Sequence, residues 1–139
     1  MKLLHFFHYL NTIFIFPSLY EGFGNVITEA MVCETSVIAA DSKSGSREIL
    51  HPKLDLDEDI KSQVSTEYGV LLPSFVNSDI TIKSGFDELD NMWIDAIENL
   101  LNNDKLQKKF SINGNKRVQD FSIEKITPQY EKVLRHDND

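Results

Sequence analysis

The sequence predicts an α/β domain of about three parallel strands with helices on both faces. Two observations carry this. Three short apolar runs, at residues 13–16, 36–40 and 69–72, are separated by stretches with turn residues and helical patterning. Strands that alternate with helices pair in parallel through right-handed crossovers. The first run, Ile-Phe-Ile-Phe, also has no polar alternation, as expected of a strand covered on both faces. The length of 139 residues suits one domain that buries about two thirds of its unfolded surface.

Composition narrows the class. Hydrophobic residues make up 41% and charged residues 26%, the balance of a globular protein. The net charge of −8, with no basic stripe, argues against nucleic acid as a partner and gives no general attraction to anionic lipid. A single cysteine excludes an internal disulfide. Cys33 falls on the apolar side of the helix after the first strand and is expected to be a small core residue, its thiol kept protonated by burial.

Taken in order, residues 1–16 are a poor signal peptide: His5, His8 and Asn11 interrupt the apolar region and no cleavage site follows. A short helix over residues 3–10 and then the first strand are expected, with His5 and His8 as ordinary packed histidines. A turn rich in Pro, Ser and Gly comes next. A helix opens at Gly24 or Asn25 and is expected to carry Val26, Ile27, Ala30 and Met31 inward. After the strand at 36–40, residues 41–46 form a loop and Arg47 starts a short helix. Ser44, Gly45 and Ser46 are expected to be a strand-to-helix turn, with a ligand contact as the lesser alternative. Residues 51–67 are a polar connection. Its acids Asp55, Asp57, Glu58 and Asp59 lack the glycine and distal glutamate of a calcium loop, so they are expected to be solvated. Pro73 stops the third strand, and residues 74–86 read as a long loop or insertion.

The remainder is helical. Phe86, Leu89, Met92, Trp93, Ile97, Leu100 and Leu101 recur at helical spacing. Leu106 and residues 110–118 make a second helix. Ser122 caps a third, which Thr127-Pro128 is expected to bend or restart before it runs on through Tyr130 and Val133. The last residues, 136–139, are expected to fray.

The chemistry concentrates in the turn at 17–24. It lies after a strand and before a helix, the place where open α/β sheets bind ligands. Backbone N–H groups and the positive end of the helix dipole suit phosphate there. Gly22 and Gly24 permit close approach of the backbone. Glu21 precedes the helix and Glu29 lies on it, roughly 7–8 Å along the axis from Gly24. Carboxylates accept from hydroxyls, so the pair suits two parts of one extended sugar-bearing ligand. A nucleotide-sugar combines an anion with hydroxyls in this way.

Pro17-Ser18, Glu21-Gly22 and Glu29-Ala30 resemble the E-x7-E signature of retaining glycosyltransferases with the GT-B fold, of the family 4 (group 1) type. Val37-Ile38-Ala39-Ala40-Asp41 with Ser44 to Leu50, then Tyr68 to Pro73, then Phe121-Ser122 with Glu124, are similar to later segments of that family. The likeness covers roughly residues 5–135 and is nearest to bacterial enzymes of surface polysaccharide and lipid-linked sugar synthesis. Two departures stand out. The family has Gly then Thr-Pro where this chain has Glu34-Thr35-Ser36, and Pro where it has Ser46.

The resemblance implies a partial Rossmann-like, three-layer domain, residues 1–139, forming the latter part of the donor-binding C-terminal half of a GT-B enzyme. It implies a hexosyltransferase-type reaction with retention, from a nucleotide-diphosphate sugar to a saccharide or lipid-linked acceptor. By motif position Glu21 faces the donor sugar as the catalytic-site carboxylate. Gly22, Phe23, Gly24, Asn25 and Val26 line the sugar and diphosphate, and Glu29 holds the ribose. No metal and no further cofactor are expected, and the location expected is cytoplasmic. The family's acceptor domain and basic diphosphate pair lie upstream of these motifs, so the chain alone is expected to be inactive. Membrane contact is expected only through those other parts. A non-catalytic subunit that docks on a separately encoded N-terminal half, or an inactive remnant, is the alternative.

Overall fold

The computed structural model describes residues 13–20, 22–55, 57–75 and 85–136. Glu21, the helix expected at 3–10, most of the loop expected at 74–86 and the last three residues lie outside the described residues.

Four strands form one sheet: β1 (Ile13–Phe16), β2 (Ser36–Ala40), β3 (Val64–Ser65) and β4 (Val70–Leu72), in the order β1-β2-β4-β3. The three expected strands pair in parallel, Ile13 opposite Ser36 and Ile38 opposite Val70. β3 was not expected. It runs antiparallel to β4, with Val64 opposite Leu71. A tight turn returns the chain between them: the Thr66 hydroxyl accepts from the N–H groups of Tyr68 and Gly69 and donates to the Gly69 carbonyl. Among the described residues β1 is the other edge of the sheet.

Every residue of β2 is buried, and its alternation builds two cores. Val37 and Ala39 face Ile27, Met31, Ile49, Leu50 and Val118. Ile38 and Ala40 face Trp93, Ala96, Leu100 and Phe110 on the other side. The sheet is thus the middle of three layers, as the resemblance implied. Helices α1 (Asn25–Val32) and α2 (Gly45–Leu50) contribute to the first core, and α3 (Glu88–Leu101) to the second. Helix α4 (Asp104–Val118) reaches both, through Val118 and Phe110.

Helix α1 turns Ile27 and Met31 inward and half-buries Ala30. Val26 does not face the core as expected; it is 41% exposed. At about 100° of rotation per residue it lies a quarter-turn round the helix from Ile27. Cys33 caps the C-terminus, half-buried. Burial, with the nearby Glu29 charge second, pushes its thiol pKa up.

The end of α1 carries a cost. The Thr35 N–H bonds the Ala30 carbonyl and the Glu34 N–H bonds the Met31 carbonyl, the pairing of a Schellman cap. That cap needs a left-handed residue, and Glu34 supplies it at φ 56°. A side chain there costs about 1 kcal/mol relative to glycine. Glu34→Gly is expected to raise the unfolding free energy by about that amount in a denaturant titration. An unchanged midpoint would show that the strain is relieved elsewhere.

Helix α3 begins with a full capping box between Asp87 and Asp90. Phe86 lies outside it, 74% exposed, so it does not belong to the apolar stripe assigned to it from spacing. Trp93 stacks on Phe75 at 5.3 Å and donates to the Pro73 carbonyl. Helix α5 (Ile123–His136) runs through Pro128 rather than restarting there. Its Ile123, Tyr130, Val133 and Leu134 are exposed. No helix among the described residues is long and apolar enough to cross a membrane.

Helix α4 ties the layers together by side-chain donation. Gln107 donates to the Leu100 carbonyl at the end of α3, and Asn115 to the Val32 carbonyl at the end of α1. Arg117 donates to the Glu48 and Ile49 carbonyls at the end of α2. Terminal carbonyls that have no partner within their own helix are thereby satisfied.

Candidate functional site

The loops after β1, β2 and β4 open on the same edge of the sheet. After β1, residues 17–24 lead into α1. Gly24 is its N-cap, left-handed at φ 80°, so no side chain caps the first turn and no acidic residue lies in it. The N-terminal dipole end of α1 therefore meets no competing negative charge from its own first turn. Asn25 and Val26 are exposed on that turn. Glu29 is exposed one turn further on, and its carboxylate makes no hydrogen bond or ion pair among the described residues. Its carboxylate is about 6 Å along the axis from Asn25, on the same outward face as Asn25 and Val26.

The turn is held from the side. Gly45, the first residue of α2, lies so close to Phe23 that a Cβ there would stand 1.9 Å from the Phe23 carbonyl oxygen. The Phe23 ring meets Phe121 edge-on at 5.0 Å, and the Arg117 guanidinium lies 4.6 Å from the centre of the Phe121 ring. Of the residues proposed from the sequence, Gly22, Phe23, Gly24, Asn25, Val26 and Glu29 share this corner of the fold. Glu21 lies outside the described residues.

Ser44, Gly45 and Ser46 act as the strand-to-helix turn. The Ser46 hydroxyl donates to the Ala40 carbonyl at 2.6 Å and accepts from the Ser42 N–H. The Ser44 hydroxyl donates to the Ser42 carbonyl.

A pair that sequence reading missed lies beneath this loop. Arg47 is 1% exposed and grips Asp41 with two parallel bonds, one from Nε at 2.8 Å and one from an Nη. Its other Nη donates to the Asp55 carbonyl. The only sequence signal is an acid at the end of β2 and a base six residues on, across the loop. The acidic stretch 55–59 is solvated as expected: Asp55, Asp57, Glu58 and Asp59 are all exposed, Asp59 pairs with Lys43 at the surface, and Arg47 takes only the backbone carbonyl of Asp55. The Lys43 ammonium, by its hydrogen bond first and its charge second, holds the Asp59 carboxyl below the usual range.

Beside the turn lies an open cleft of about 720 Å³. Leu19 and Tyr20 line it after β1, Asp41 and Lys43 after β2, and Pro73 and Ser74 after β4. Asp59 and Lys61 close its rim. The architecture is thus a parallel α/β domain whose open cleft and uncapped helix end both lie at the C-terminal ends of the strands.

Known proteins resemble this chain in sequence and fold. Residues 2–55 match the family described as glycosyl transferases group 1. Over 125 residues, 87% of the chain, it is 34% identical to an uncharacterised glycosyltransferase of Methanocaldococcus jannaschii, covering 30% of that protein. Over 121 residues it is 26% identical to N-acetylgalactosamine-N,N'-diacetylbacillosaminyl-diphospho-undecaprenol 4-alpha-N-acetylgalactosaminyltransferase of Campylobacter jejuni, covering 26% of it. Among solved structures, sucrose-phosphate synthase from Thermosynechococcus elongatus superposes with a TM-score of 0.60 and 29% identity, over 88% of this chain and 24% of that one. The chain is therefore similar to the group 1 glycosyltransferases and shares its fold with part of a GT-B enzyme. It spans less than a third of the length of the curated relatives it matches.

Proposed function

We propose that the chain is the donor-binding part of a retaining glycosyltransferase that moves a sugar from a nucleotide-diphosphate donor to a saccharide or lipid-linked acceptor. One observation carries this reading most: an α1 N-terminus without a side-chain cap, with a Glu29 carboxylate that has no partner among the described residues one turn along the same exposed face. The helix end takes the diphosphate, residues 22–26 line it, and Glu29 accepts from ribose hydroxyls. Glu21 is assigned to the donor sugar by its motif position. Backbone N–H groups and the helix dipole meet the diphosphate charge, so the reading needs no metal. The Campylobacter relative's diphospho-undecaprenol name supports a lipid-linked saccharide as acceptor, and a cytoplasmic location follows from where such donors are made.

The test is a binding screen of UDP-, GDP- and ADP-sugars by calorimetry. One donor series is expected to bind saturably. Glu29→Ala is expected to weaken it about tenfold or more, the loss of a hydrogen-bonded charged acceptor. Unchanged affinity in that variant would remove Glu29 from the site.

A further inference from the structure

We propose that the cleft beside the donor turn is an acceptor-side subsite for a glycosyl phosphate, with Tyr20 under the sugar ring and Lys43 and Lys61 on the phosphate. The proposal rests on the donor reading of residues 22–26 and Glu29. The motif gives this cleft no role, since the residues it assigns lie from Glu21 onward.

The space fits. About 720 Å³ is within the range of about 300–1,000 Å³ that small-molecule sites occupy. The cleft is also contiguous with the donor turn. Tyr20 lines it and is two residues before Gly22, and the loop that carries Lys43 leads into Gly45, which touches Phe23. A ligand in the cleft therefore lies next to a donor sugar on the turn, where an acceptor must lie.

The chemistry is that of a sugar with one anionic group. Tyr20 is 77% exposed and offers an aromatic face to the cleft. Of the two aspartates, Asp41 is already neutralised by Arg47. That leaves Lys43 and Lys61 around the single carboxylate of Asp59, a net positive rim on a chain of net charge −8. The Lys43–Asp59 pair is exposed on both sides, 52% and 65%. Exposed pairs contribute little to stability, so a phosphate can take over the ammonium at little cost. Lys43 is also placed. Its backbone is left-handed at φ 55°, and its N–H bonds the Asp41 carboxylate that Arg47 holds.

The experiment uses the full 139-residue chain and glucose 1-phosphate, with glucose and inorganic phosphate as part-ligands. Lysines are methylated with and without ligand and the rates mapped by mass spectrometry. Glucose 1-phosphate is expected to slow modification of Lys43 and Lys61 and to leave the exposed Lys105, Lys108 and Lys109 unchanged. By calorimetry, Lys61→Gln is expected to weaken glucose 1-phosphate about tenfold. Tyr20→Ala is expected to weaken glucose 1-phosphate but not inorganic phosphate. No protection, or equal protection of all lysines, would overturn the proposal. So would the same footprint with UDP, which would place the donor's diphosphate in the cleft. Glu29→Ala separates the two readings: it is expected to weaken the nucleotide-sugar while the glucose 1-phosphate footprint stays.

Discussion

Arg47→Met is expected to lower the unfolding free energy by about 3–5 kcal/mol, because it leaves the Asp41 carboxylate buried without its partner. The guanidinium is 1% exposed and supplies both bonds to Asp41 and one to the Asp55 carbonyl. Methionine fills much of the volume and supplies none of these donors. Domains of this size have about 5–15 kcal/mol in total, so the variant approaches the margin of folding. Denaturant titration measures the loss. The double variant Arg47→Met with Asp41→Leu is expected to regain a large part of it, since removing both charges removes the orphan. A single-variant loss below about 1 kcal/mol would mean that water or another group reaches Asp41 readily.

Gly45→Ala is expected to act on the site more strongly than any other single methyl group. The added carbon would stand 1.9 Å from the Phe23 carbonyl oxygen and 2.2 Å from its carbon, both backbone atoms. No rotamer change relieves that, so either α2 or the turn must move. The expected result is a stability loss of about 3 kcal/mol or more, at the upper end for overpacking. Donor binding is expected to disappear even in the fraction that stays folded. Gly22→Ala is the control, because nothing lies within 4 Å of a Cβ there. Its stability is expected to change by no more than about 0.5 kcal/mol. Similar effects of the two substitutions would show that the contact between the loops does not set the turn.

The three parallel strands, the helix after the turn and the three-layer arrangement were legible because each rests on a local pattern of apolar residues. The motif also marked residues that lie together: 22–26 and Glu29 share one part of the fold. What escaped depends on contacts between distant segments. β3 is two residues long and exists only because Thr66 closes a turn onto β4. The Asp41–Arg47 pair spans a strand, a loop and a helix, so no periodicity marks it. Lys43, Asp59 and Lys61 come from two loops that have no common pattern. Val26 and Phe86 were misplaced for a different reason. Each adjoins a helical stripe, and an apolar residue beside a stripe reads like part of it.

The side chains of α4 bear on the order in which this domain comes apart. Gln107, Asn115 and Arg117 hold the last carbonyls of α3, α1 and α2 from a single helix. Those three helix ends cannot fray independently while α4 is docked, and undocking α4 releases all three at once. Helix α1, whose first turn is the proposed donor contact, is thus clamped at its far end by a segment some eighty residues later in the chain (Asn115 to Val32, a separation of 83). The domain is accordingly expected to open as one cooperative unit rather than helix by helix, with the stiffness of the turn before α1 set partly by α4.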